Sequence, residues 1–177
     1  MDEVIIEELS YRSLKDAVKL LSECFPNDNG YKIWFPKSLE FDKHREEYMG
    51  KGTLYVKYFL AIDKKSGKVL GTTGLYILKE DANEKACWVG WFAVSKRYRN
   101  KKIGSKLLDF TIDLARKKDM KFLRLWTTSA PNERKAQRLY DKRGFKEFKR
   151  EKKNSEKYNT IYKQLVLKSK TRCATSP

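Results

Sequence analysis

VSKRYRNKKIGSKLL, running from Val94 to Leu108, decides what kind of fold this chain forms. The apolar run that leads into it, WVGWFAV (Trp88 to Val94), reads as a strand. After it, Ile103, Leu107, Leu108, Ile112 and Ala115 recur on one face of a helix. Between the two lies a tight basic turn with Arg97, Arg99, Lys101 and Lys102, closed by Gly104-Ser105. The first N–H groups of a helix have no internal partner, and the positive end of its dipole lies there. Strand, donor-rich turn and helix start therefore make an anion site, suited to a phosphate or pyrophosphate.

Working outward, Val4 to Leu9 reads as a first strand, and Ser13-Leu14-Lys15-Asp16 as a capping-box-like helix start. That helix has Leu14, Val18 and Leu21 on its apolar face and is followed by Pro26. PNDNGYKIWFP, Pro26 to Pro36, reads as a loop, and Leu39 to Met49 as a second helix. Thr53 to Ile62 and Val69 to Leu78 are two strands joined by a hairpin at Asp63-Lys64-Lys65-Ser66-Gly67. The central strand spans Ala86 to Val94, with Gly90 inside it as the mark of a bulge. Phe122 to Thr127 is a strand, Asn132 to Arg143 a helix, and Phe145 to Arg150 and Tyr158 to Leu167 the last strands. The expected order is β-α-α-β-β-β-α-β-α-β-β. It is an α+β fold, a mixed central sheet with helices on both faces, in one domain over residues 1–167 with a frayed tail at 168–177.

Two motifs resemble one known family. V-x-x-x-Y-R-x-x-x-I-G-x-x-L-L resembles the cofactor-binding segment of the GNAT superfamily of acetyl-CoA-dependent N-acetyltransferases. Of that family's [R/Q]-x-x-G-x-[G/A] pattern, Arg99 fills the first position and Gly104 the last, while Lys102 stands where the middle glycine is expected. LYDKRGF, Leu139 to Phe145, resembles the family's later L-Y-x-x-x-G-F motif. Both occur in the right order, and the order of elements extends the resemblance over most of residues 4–167.

The resemblance implies acetyl-CoA as cofactor, held by backbone and side chains of Arg99, Asn100, Lys101, Lys102, Ile103, Gly104 and Ser105. It implies that the backbone amide of Phe92 faces the thioester carbonyl and that Val94 pairs with the pantetheine amide. A regular, fully paired strand is the alternative for both. Tyr140 matches the family tyrosine that protonates the leaving thiolate, against the plainer role of a core aromatic. Asn132 resembles a cofactor-contacting asparagine at the start of its helix, but stands one residue further from the tyrosine than usual. Lys102 either pairs with a phosphate or points to solvent; a left-handed backbone there would cost roughly 1–2 kcal/mol.

For the acceptor, the resemblance points to the loop with Tyr31, Trp34 and Phe35, which otherwise pins itself down with its aromatics. No general base is evident. Some family members carry a glutamate six residues before the strand's last valine, and here that residue is Trp88. Glu80, Asp81 and Glu84 lie just upstream as candidates. His44, the single histidine, sits among charges and reads as a surface residue.

Composition excludes several classes. No apolar run reaches the length of a membrane span, and MDEVIIEEL is too acidic for a signal peptide, which implies a cytoplasmic protein. Cys24, Cys87 and Cys173 give neither zinc spacing nor a disulfide framework, so no metal is expected. Cys87 reads as a small core residue, with a covalent acyl-cysteine as the sharper alternative. The net charge of +17 suits an acidic ligand such as the coenzyme A phosphates, yet scattered lysines alone do not establish RNA binding. The reading is an N-acetyltransferase acting directly on a primary amine, with a homodimer left open. A non-catalytic module binding acyl-CoA or RNA is the rival.

Overall fold

Alternation along one strand, Thr53–Asp63, sends Val56, Tyr58 and Leu60 to one side of a sheet, and Phe59 and Ala61 to the other. The computed structural model describes residues 3–152 and 157–167; the expected tail and Cys173 lie outside them. Along the chain come β1 (Val4–Glu8), α1 (Tyr11–Cys24), α2 (Gly30–Glu40), α3 (Arg45–Gly50), β2 (Thr53–Asp63), β3 (Val69–Leu78) and β4 (Ala86–Val94). They are followed by α4 (Ile103–Lys117), β5 (Phe122–Thr128), α5 (Arg134–Lys142), β6 (Lys146–Glu151) and β7 (Thr160–Val166). All seven strands form one sheet in the order β1-β2-β3-β4-β5-β7-β6, antiparallel except for β4 with β5.

One core lies between the sheet and the first helices, built on Leu21, Tyr31, Phe35, Tyr58 and Leu60. On the opposite face Leu108, Ile112 and Ala115 of α4 and Tyr140 of α5 pack on Leu75, Cys87 and Leu123. Each large apolar side chain buried in this way contributes about 1.5–3 kcal/mol. The expected stripe on α4 is all buried. Among the described residues no helix is long and apolar enough to cross a membrane.

The structure corrects the first helical region. The segment read as a loop is mostly α2, and the expected helix over Leu39 to Met49 is broken into the end of α2 and the short α3. Tyr31 and Phe35, four apart, are buried together, and that shared face outweighs the hydrogen bond lost at Pro36 inside the helix. Asp28 Oδ1 accepts from Gly30 N at 2.8 Å and turns the chain into α2. At its end both Lys43 N and His44 N donate to Glu40 O, which breaks the run before α3. Ser13 acts backward in the capping box: its Oγ accepts from Ser10 N at 3.0 Å, and α1 begins at Tyr11.

Two irregularities of β4 shape everything that follows. Its parallel pairing with β5 holds only at Ala86–Phe122, Cys87–Leu123 and Trp88–Arg124. Beyond these, β4 continues with β3, and β5 with β7, so the two strands part. On the other side, Thr72 pairs with Ala93 but Gly74 with Gly90, so β4 carries one extra residue. The bulge falls at Trp91, with φ 43, rather than at Gly90 itself. Side-chain parity reverses there: Cys87 and Val89 face α4, and so do Phe92 and Val94, while Trp91 and Ala93 face α1.

Gly74 and Gly90, paired across the strands, make room for a ring. A Cβ on Gly74 would lie 2.3 Å from Tyr58 Cδ1, and one on Gly90 3.1 Å from Tyr58 Cε1. Gly74→Ala is therefore expected to lower stability by about 1–3 kcal/mol through overpacking. Gly50→Ala, where a Cβ meets nothing within 4 Å, should leave the urea midpoint near wild type. Urea unfolding of the pair checks this, and equal midpoints would contradict the packing argument.

Candidate active site

The parted strands open onto a cavity of about 510 Å³. Val89, Trp91 and Phe92 of β4 form one wall, and Leu125 and Trp126 of β5 another. Tyr58 and Tyr76 reach it from β2 and β3, and Tyr140 from α5. Phe25, Asp28 and Trp34 close the end beside α1 and α2. The bulge explains why one strand serves both ends. Trp91 turns towards Phe25 and Tyr31, edge-on at 5.6 and 5.4 Å between ring centroids. Phe92 turns towards Tyr140, at 5.8 Å.

The basic turn before α4 is tightly bent. Asn100 and Lys102 both adopt left-handed backbone, with φ 63 and φ 60. The first bond of the helix runs from Lys106 N to Lys102 O at 3.0 Å, so the amides of Ile103, Gly104 and Ser105 precede it. Ile103 is buried against Ala61, Leu70 and Leu107 and anchors the turn. Gly104 lies beside Val94, Phe92 and Leu139: a Cβ there would meet them at 3.5–3.7 Å, so the helix start abuts β4 and α5. Arg99 is tied back, its Nε donating to Val94 O at 3.2 Å. The Cys24 thiol reaches the same carbonyl at 3.8 Å; burial pushes it up, against the pull of Arg99. Lys101 lies over the ring of Tyr98. The turn thus sets three amides ahead of the first helical bond among several exposed cations.

Tyr140 is 6% exposed, and burial first, then the negative charge of Glu133, raises its phenol above the ordinary value. It stays a neutral donor at the edge of the cavity. Glu133 was not singled out in the sequence, and the structure makes it part of the cavity wall. Its carboxylate accepts from Thr128 N at 2.9 Å, Thr128 Oγ1 at 2.8 Å and Thr127 Oγ1, which pins it where β5 ends. Asn132, next to it, is exposed and outside the wall. The signal was present in the spacing: Asn132 is one residue too far from Tyr140, and the residue at the usual distance is Glu133.

Other candidates take different places. Phe35 is fully buried, stacked on Tyr58 at 4.2 Å, and Tyr31 is 2% exposed behind Trp91. Both are packing residues, and of the three loop aromatics only Trp34 reaches the cavity. Trp88, in the slot where a base was sought, donates from Nε1 to Asp81 Oδ2 at 2.7 Å. Arg124 grips Asp81 Oδ1 at 2.6 Å and also bonds Glu84. Asp81 is thus buried in a network where β4 and β5 separate, with the exposed Glu84 at its edge, and both lie outside the cavity. Cys87 is fully buried and its thiol is pushed up to about 12 by burial, which leaves no thiolate to attack. His44 lies on the surface, 4.0 Å from Glu47.

The fold is thus a mixed sheet parted at a bulged strand, with a cavity in the gap and a basic helix start at its edge. The model of the acetyltransferase (GNAT) family matches residues 14–145, and the chain belongs to that family. A search of the curated proteins finds no match. Solved structures share the fold at low identity. A GNAT acetyltransferase from Staphylococcus aureus has a TM-score of 0.65 at 24% identity, covering 94% of this chain and 100% of its own. The ribosomal-protein-S18-alanine N-acetyltransferase from Escherichia coli has 0.65 at 18%, covering 93% and 94%. NAA60 of Arabidopsis thaliana, in complex with a bisubstrate analogue, has 0.71 at 14%, covering 93% and 98%.

Lys102→Gly should stabilise the fold by roughly 1 kcal/mol by relieving the left-handed strain. A lower urea midpoint would show instead that the lysine side chain holds the turn. A second expectation concerns alkali. Burial, before any other cause, raises Tyr55 to about 12 and holds Tyr58, Tyr76 and Tyr140 above the ordinary 10.0. In the unfolded chain all four ionise near 10, so their stabilisation is complete below that pH and falls as pH climbs from 10 through 12. Melting temperature measured against pH tests this; a flat curve across that window would contradict it.

Proposed function

We propose that the protein transfers the acetyl group of acetyl-CoA directly to a primary amine. The observation that carries this reading is the juxtaposition of Phe92 and Tyr140 at the gap between β4 and β5, with the anion cradle next to it. Bound acetyl-CoA would supply an electrophilic acyl carbon and a thiolate leaving group. Ile103, Gly104 and Ser105 offer amides to the pyrophosphate, and Arg99, Asn100, Lys101 and Lys102 surround it. Neither Trp91 nor Phe92 has a register partner on β3 or β5, so the amide of Phe92 is available to the thioester oxygen. Val94 stands two residues on, where the pantetheine arm would run.

The amine nitrogen attacks the acyl carbon, the C–N bond forms, and the C–S bond breaks with its electron pair leaving on sulfur. Tyr140 gives the proton that neutralises that sulfur and recovers one from solvent. Burial that keeps the phenol protonated also makes a thiolate beside it more basic, so donor and acceptor shift together. The fully bonded Asp81 is unsuited to accept the amine proton, which leaves solvent in the cavity. Fold alone does not choose the amine: solved structures of the same fold include the S18-alanine enzyme and a spermidine N-acetyltransferase chimera.

Acetyl-CoA at a hundredfold excess over its Kd should stabilise the protein by about 2.7 kcal/mol. Tyr140→Phe keeps the ring and should retain that shift, while kcat at saturating acetyl-CoA falls about 10²–10⁴-fold. An unchanged kcat in the folded variant would remove Tyr140 from the chemistry. No thermal shift with millimolar acetyl-CoA would remove the cofactor.

A further inference from the structure

The end of the cavity beside α2 has a chemistry of its own. Asp28 lines it, and a Cβ placed on Gly30 would lie 3.3 Å from Asp28 Oδ1 and 3.0 Å from Trp91 Cζ2. Carboxylate and indole thus converge on one point, held open by the missing side chain of Gly30. One turn along α2 stands Trp34, 37% exposed, its ring already under Lys37 Nζ at 5.6 Å. Tyr58, Tyr76 and Trp126 also line the cavity.

The local charge is opposite to that of the chain. Of the three charged residues on the wall, Asp28 and Glu133 are acidic, and the third, Lys51, is paired with Glu47 at 2.5 Å. The chain as a whole carries +17. An acidic, aromatic pocket in a basic protein selects for one cation and against several. A single ammonium gains from the carboxylate and from the ring faces. Each further charge on a polycation meets the field of the surplus lysines instead. A peptide needs polar partners for its main chain, whereas half of the residues of this wall carry aromatic rings.

Resting on the transferase reading above, we infer that the acceptor is an amine with a single ammonium on an aromatic or otherwise apolar body. The ammonium docks between Asp28 and the rings of Trp34 and Trp91, and the body lies against the tyrosines and Trp126. The bound ammonium loses one proton to water before its nitrogen attacks.

The full chain is assayed with acetyl-CoA and three probes: 2-phenylethylamine, spermidine and a peptide with a free N-terminal alanine. Phenylethylamine is expected to show the highest kcat/KM, about tenfold above the other two. Asp28→Asn keeps an oxygen for Gly30 N, so α2 stays in place, yet should raise the KM for phenylethylamine about tenfold with acetyl-CoA affinity unchanged. Trp34→Ala should act in the same direction. Preference for spermidine or the peptide, no turnover of phenylethylamine, or an unaltered KM in Asp28→Asn would overturn the inference. Calorimetry with acetyl-CoA on the same samples separates the two readings. Absent binding defeats the transferase itself, whereas binding with the wrong acceptor defeats only this choice of amine.

Discussion

One extra residue in β4 governs the geometry of this molecule. A regular strand from Ala86 to Val94 would keep the side chains of Trp91 and Val89 on one face. The left-handed backbone at Trp91 reverses the alternation, so that Trp91 faces the first helices and Phe92 faces α5. A single strand thereby supplies a wall to each end of the cavity. The bulge also leaves Trp91 and Phe92 out of register with β3. On the proposed function, the amide of Phe92 released from that register is the donor that would meet the developing charge.

The parting of β4 from β5 depends on a second device. Asp81, Arg124 and Trp88 form a nearly buried network at the last residues the two strands share. Its charges are matched, and Gln164 accepts from Arg124 Nε at 2.9 Å, which also ties in β7. A buried pair of this kind adds little net stability compared with apolar packing, but breaking it is costly, so it fixes where the strands diverge. The position where a base was sought holds instead the tryptophan that anchors this network. Function and architecture compete for the same residue here, and architecture has taken it.

The charge of the chain acquires meaning only when it is located. Most of the 40 Lys and Arg are on the surface, several of them in ion pairs. Those of the turn before α4 share a place with the first amides of the helix and its dipole, the setting that favours an anion. The acceptor end of the cavity has the opposite sign. On the proposed function, the basic turn would draw in the coenzyme and the acidic pocket the amine, so charge would sort the two substrates.

Much of this was legible in the chain itself. The strand-turn-helix from Trp88 onward was readable because apolar periodicity changes from strand to helix across a cluster of cations, all of it local. The same holds for β2, β3 and α5, whose patterns are strong, and for the pair of family motifs. Tertiary structure alone decided the rest. It made α2 a helix despite Pro36, because burying Tyr31 and Phe35 together depends on Tyr58 and Trp91, far away in sequence. It moved the bulge from Gly90 to Trp91, since the glycine is needed to admit the ring of Tyr58. It chose Glu133 over Asn132, because Thr127 and Thr128 at the end of β5 hold that carboxylate. Local pattern determines which elements form; side chains brought together from distant elements determine where those elements bend and what lines the space between them.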